Sequence, residues 1–62
     1  MYEKFKKLLE EHGDTIYRVA KDCGIPPQVL YDWKNGRCSP KVKTLKKIAD
    51  YYEVALEDLL DD

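Results

Sequence analysis

The apolar positions of this 62-residue chain recur at spacings of three and four. That is the period of an amphipathic α-helix, and nowhere is there a strand-length alternation. Tyr2, Phe5, Leu8, Leu9 and His12 share one helical face, which predicts a helix from Tyr2 to Glu11 that Gly13 ends. Ile16, Val19, Ala20 and Cys23 form the inward stripe of a second helix. Thr15 is placed to cap it, Asp14 adds charge that suits its N-terminus, and Gly24 stops it. A third helix opens at Pro26-Pro27, because proline suits a first turn, where its missing N–H has no partner to lose. Leu30 and Trp33 turn inward over Ile25. Ser39-Pro40 reads as the cap and first residue of a fourth helix, with a stripe of Val42, Leu45, Ile48, Ala49 and Tyr52. A short fifth helix turns Leu56, Leu59 and Leu60 inward and carries Glu57 and Asp58 in its first turn. The expectation is one all-α domain of five helices over residues 1–62, divided at Gly, Pro and short polar clusters.

Size narrows the functions this pattern can serve. A domain this short buries only about 60% of its unfolded surface, which leaves little room for a deep substrate cleft beside a core. An enzyme is disfavoured, no small-molecule substrate is expected, and no acid-base pair or nucleophile stands out. Ser39 reads as a helix cap, and His12, at a helix end, as a capping or packing group. No apolar run approaches the roughly 20 residues that span a bilayer, and the first residues do not resemble a signal peptide. A cytoplasmic location without membrane association is the expectation. Cys23 and Cys38 form no C-x-x-C pair and His12 lies far from both, so neither metal nor other cofactor is expected. Reduced thiols are the default for such a protein, a single disulfide being the alternative. Cys23 falls on an apolar helical position and reads as a small core residue, Cys38 as an exposed loop residue.

The formal charge is −1, but its distribution matters more than its total. Residues 1–50 carry 11 basic and 7 acidic side chains. Residues 51–62 carry no basic side chain and five acidic ones: Glu53, Glu57, Asp58, Asp61 and Asp62. Screening limits the reach of a charge to about 10 Å at 0.1 M salt, so the basic part can meet an anionic partner independently of the acidic end.

The second and third helices, joined tightly at Gly24, have the shape of a helix-turn-helix running from Thr15 to Asn35. The residues also carry a family resemblance. The run Thr15-Ile16-Tyr17-Arg18-Val19-Ala20-Lys21-Asp22-Cys23-Gly24-Ile25 is followed by Leu30-x-x-Trp33-Lys34-Asn35-Gly36, Ser39-Pro40, Leu45-x-x-Ile48-Ala49 and Leu59-Leu60. In register from Leu8 to Leu60, these pieces resemble the Cro/C1-type (XRE) helix-turn-helix family of phage-repressor-like domains. The resemblance implies a five-helix, lambda-repressor-like fold that binds operator DNA, usually as a homodimer on a palindromic site. It also exposes departures. Ile16 stands where the family often has a backbone-contacting Gln, and Pro26 cannot supply the usual side-chain cap of the recognition helix. Leu9 and Lys34 replace a common ion pair, Glu53 occupies a glycine position, and Ala55 replaces a cap.

With Leu30 and Trp33 inward, Pro27, Gln28, Tyr31 and Asp32 lie on the outward side of the third helix. They are the candidate base readers, since the second helix of this motif enters the major groove. The Gln28 amide both donates and accepts, matching N6 and N7 of adenine. Pro27 and the Tyr31 ring suit thymine methyls, while the Tyr31 hydroxyl suits a phosphate. Asp32 either accepts from cytosine N4 or repels a phosphate, and Val29 is divided between core edge and thymine contact. Thr15 and Tyr17, at the N-terminus of the second helix, are candidate phosphate ligands. Asn35, Arg37, Lys41 and Lys43 are the others, and the resemblance assigns the same role to their loop and helix start. Trp33 reads as core rather than a stacking platform, and Tyr51 and Tyr52 as packing or interface residues.

Two functions remain. One is sequence-specific DNA binding by a transcriptional regulator, in the resemblance a repressor of phage or mobile-element type. The other is a protein-interaction module on the same fold, of antitoxin or anti-repressor type, favoured by the weak net charge and acidic last helix. Tyr52, Val54 and Leu56 are the candidate dimer-interface residues.

Overall fold

Residues 2–60 are described in a computed structural model, which contains four α-helices and, among those residues, no strand. They are α1 (Tyr2–His12), α2 (Ile16–Cys23), α3 (Pro27–Lys34) and α4 (Val42–Tyr52), followed by a single 3-10 turn, Leu56–Asp58. Asp61 and Asp62, counted above with the acidic end, lie outside the described residues.

The helices start where local chemistry allows. Thr15 is extended and its Oγ1 accepts from the Arg18 N–H at 3.2 Å, so the expected cap of α2 is present. Pro26 precedes α3 without a side-chain cap bond, and Pro27 takes the first helical position. All four helices end alike, with an N–H just past the helix returning to the carbonyl five residues before it. These bonds run from Asp14 to Leu9 (2.9 Å), Ile25 to Ala20 (2.8 Å), Arg37 to Asp32 (2.8 Å) and Val54 to Ala49 (2.9 Å). Each closure needs one left-handed residue; glycine serves at 13, 24 and 36, whereas Glu53 serves after α4 with φ 56°.

The core is where the apolar stripes converge. Val19, Ala20, Leu30, Ile48 and Leu59 are fully enclosed, and Ile25 fills the turn between α2 and α3 as expected. Trp33 is buried, stacked on Phe5 at 5.3 Å and met edge-on by Tyr2 at 5.5 Å, so three aromatic rings join α1 to α3. The two ends of the described chain are also tied, since the Lys4 ammonium donates to the Leu60 carbonyl at 2.7 Å. Cys23 is half-buried against the core and Cys38 exposed, both as free thiols.

Three expectations need correction. The fourth helix starts at Val42, with Lys41 as its extended cap, so Ser39 does not cap it and Pro40 is not its first residue. Pro40 is instead buried in the extended segment that leads into the helix. Val42 is 60% exposed rather than inward. At 100° per residue it stands about 70° from the centre of the stripe formed by Leu45, Ile48, Ala49 and Tyr52, and no preceding turn draws it in. The fifth helix is one 3-10 turn, bonded from Asp58 to Ala55 and from Leu59 to Leu56. A segment this short cannot offset helix nucleation, and its acidic side chains disfavour a continuing C-terminal end. Its apolar side chains nonetheless turn inward: Leu59 is enclosed, and Leu56 and Leu60 are half-buried.

Candidate nucleic-acid interface

The third helix has two unlike faces because its sequence does. Leu30 and Trp33 are buried, while Gln28 and Tyr31 are exposed and Pro27 and Asp32 half-buried on the opposite side. Burial of the inward pair fixes the rotation of α3 and so fixes which side chains face out. Val29, left open between two roles, is half-buried against the core. The outward side chains are linked. The Gln28 amide donates from Nε2 to Asp32 Oδ1 at 2.9 Å, a contact set by the i,i+4 spacing. Arg37 Nη1 approaches the same oxygen at 3.4 Å. The closure of α3 explains this second contact. The Arg37 N–H is bonded to the Asp32 carbonyl, which turns the chain back so that the guanidinium lies beside the Asp32 carboxylate.

Of the candidate phosphate ligands, Asn35 and Arg37 follow α3 directly in the chain, and Lys41 and Lys43 stand at the start of α4. Asn35, Arg37, Lys41 and Lys43 are all exposed. On the α2 side, Thr15 and Tyr17 are exposed and line a shallow concavity with Arg18, Lys21 and Asp22. The Thr15 oxygen accepts within its own helix, but its hydroxyl hydrogen is still a donor. The N–H groups of Ile16 and Tyr17, in the first turn, have no intrahelical partner and suit an anion. The structure thus joins Gln28, Asp32 and Arg37 through hydrogen bonds and places Thr15 and Tyr17 in a separate hollow.

Sequence reasoning missed two features here. Val42 presents an apolar side chain between Lys41 and Lys43, and its offset from the stripe was the signal that could have revealed it. Asp32 engages its neighbours, which the Gln-x-x-x-Asp spacing could have suggested.

A second polar cluster lies between α2 and α4. The Tyr52 hydroxyl donates to Asp14 Oδ2 at 2.7 Å, and the Tyr51 hydroxyl to Asp22 Oδ2 at 2.9 Å. Asp22 also pairs with Arg18 at 3.5 Å, and the His12 ring lies 4.6 Å from that of Tyr52. Burial, then the bond to Asp14, pushes the Tyr52 phenol well above its ordinary range. The bond to Asp22 raises that of Tyr51. Asp14, expected to favour the α2 N-terminus, is thus also the anchor of Tyr52. This cluster is structural in character, holding the helix-turn-helix against α4.

Among the described residues, no group of three or more His, Cys, Asp and Glu side chains could hold a metal ion. No helix among them is long and apolar enough to cross a membrane.

Comparison with known proteins meets this geometry. A helix-turn-helix family model matches residues 5–59, which takes in all four helices and the 3-10 turn from Phe5 onward. The chain is also 30% identical over 59 residues to the HTH-type transcriptional regulator DdrOP3 of Deinococcus deserti. That alignment covers 95% of this chain and 46% of the relative, so the chain spans about half the relative's length. No solved structure matches the chain. The family model is that of a helix-turn-helix and the relative is named as a transcriptional regulator; neither match is to an enzyme. With the motif spacing, the helix closures and the two-faced α3 in place, the chain belongs to the helix-turn-helix family of Cro/C1 (XRE) type.

Proposed function

We propose that this chain binds double-stranded DNA in a sequence-specific manner as part of a transcriptional regulator, and that it acts as a repressor by occupying its site. The observation that carries the reading is the two-faced third helix. Leu30 and Trp33 lock it to the core, and exposed Arg37 lies beside Asp32 on its outward side. On this reading α3 lies in the major groove and turns its outward face of Pro27, Gln28, Tyr31 and Asp32 toward the bases. Thr15 and Tyr17 hold the backbone on one flank, and Asn35, Arg37, Lys41 and Lys43 hold it on the other. The family match and the regulator relative support this assignment, as does the excess of basic side chains over residues 1–50. A cytoplasmic place of action accompanies it.

Two copies would read a palindrome whose half-sites lie about 34 Å apart, one helical turn. The turn carrying Tyr52, Val54 and Leu56 is the proposed contact between them. Sedimentation with a palindromic duplex should show two domains per duplex; one domain per duplex at saturation rejects this arrangement.

The test of the main reading is selection of bound sequences from a randomised duplex pool. Enrichment of a defined site is expected. Retention of all sequences alike, or of none, rejects sequence-specific binding, and the latter favours a protein partner instead.

A further inference from the structure

We infer that Asp32 sets base preference through Gln28, as a positioning residue, and does not itself read a base. The inference rests on the proposed placement of α3 in the major groove and refines it. Asp32 is half-buried, and its Oδ1 is occupied from two sides, by Gln28 Nε2 at 2.9 Å and Arg37 Nη1 at 3.4 Å. An ionised carboxylate only accepts hydrogen bonds, so the Gln28 amide must turn its nitrogen, never its oxygen, toward Asp32. Of the two flips open to a free glutamine amide, one is thereby selected. The group left for a base edge is Oε1 with the second Nε2 hydrogen, in fixed order. A bidentate contact to adenine needs an acceptor for N6 and a donor for N7 in such an order. Holding the amide beforehand also removes part of the ordering cost of binding, worth roughly 2- to 12-fold for a side chain of this kind.

Arg37 completes the arrangement. A bare carboxylate on a helix in the groove would repel the phosphates on either side. The guanidinium, brought back by the closure of α3, offsets that charge while remaining 70% exposed and able to reach a phosphate. Asp32 therefore serves as an acceptor for Gln28 while the guanidinium balances its charge at the reading face.

The experiment uses the whole chain and the duplex selected from the randomised pool, together with every single-base-pair variant of it. Affinities are read by fluorescence anisotropy for the parent, Gln28→Ala, Asp32→Ala, Asp32→Asn and the Gln28→Ala/Asp32→Ala double variant, with circular dichroism to confirm each fold. Gln28→Ala should lose about 5- to 150-fold discrimination at one base pair. Asp32→Ala should relax preference at that same base pair by roughly 2- to 12-fold. The double variant should match Gln28→Ala there, because an anchor is redundant once the amide is gone. Asp32→Asn keeps an acceptor oxygen and should retain the preference, while altering the salt dependence through Arg37.

Loss of preference at a different base pair in Asp32→Ala would mean that Asp32 reads a base and would overturn the inference. So would an equal change at all sequences, the mark of a repelling charge alone. In both cases the parent still selects a site, and the proposed function stands. Failure of the parent to select any site removes the proposed function and this inference together.

Discussion

Replacing Glu53 by glycine should stabilise the domain. Glu53 closes α4 at φ 56° and ψ 43°, with its N–H directed at the Ala49 and Asp50 carbonyls. The next N–H, that of Val54, is bonded to Ala49 at 2.9 Å. A side chain with a Cβ pays about 1–2 kcal/mol to hold this left-handed conformation. Glycine avoids that strain but gives back about 0.5–1 kcal/mol through its freer unfolded chain. The difference favours Glu53→Gly by about 0.5–1 kcal/mol. A domain of this size responds by roughly 4–8 °C in Tm for each kcal/mol. Thermal and urea unfolding monitored by circular dichroism measure it directly. Glu53→Ala is the control, since it removes the same charge and keeps the Cβ. A glycine variant no more stable than the alanine variant would refute the strain argument and leave only an electrostatic effect.

Other perturbations test separate links. Gly36→Ala makes the inverse change at φ 76°, where an added Cβ meets nothing within 4 Å. Its cost should therefore be dihedral strain alone, about 1 kcal/mol by urea unfolding, and a much larger loss would point to a steric clash. Leu30→Ala removes a fully enclosed side chain and should cost about 2–5 kcal/mol; an effect below 1 kcal/mol would contradict its place in the core. Tyr52 holds its proton more tightly folded than unfolded, so its contribution is complete below the ordinary phenol value of about 10. Stability should fall as pH rises past that value toward the higher folded one, and Tyr52→Phe should flatten this decline in unfolding curves. An unchanged alkaline slope would remove Tyr52 as its source.

How much of this was legible in the sequence follows from what each feature depends on. The stripes of α1, α2 and α3 were readable because burial imposes the helical period on side chains that have no other reason to follow it. Helix ends were readable where glycine marks them, and the unusual use of Glu53 followed from the resemblance, in which glycine commonly holds that position. The start of α4 was not. Ser39-Pro40 is a sound local signal, but burial of Pro40 in an extended segment is a tertiary outcome that local preference does not encode. The same competition misplaced Val42, whose spacing fits the stripe loosely. The length of the last element depended on whether a few bonds could sustain an α-helix. At the candidate site, composition and spacing exposed the outward side chains of α3. The joining of Gln28 to Arg37 through Asp32 required the closure of α3 to be in place first.

The proposed grip of the helix-turn-helix on DNA is decided by the salt dependence of binding to a selected duplex. If Arg37, Lys41 and Lys43 each neutralise a phosphate, log Kobs should fall against log salt with a slope of about −2.7 per domain. Arg37→Ala should reduce its magnitude by about 0.9. A slope near zero, or no binding at low salt, would contradict the account.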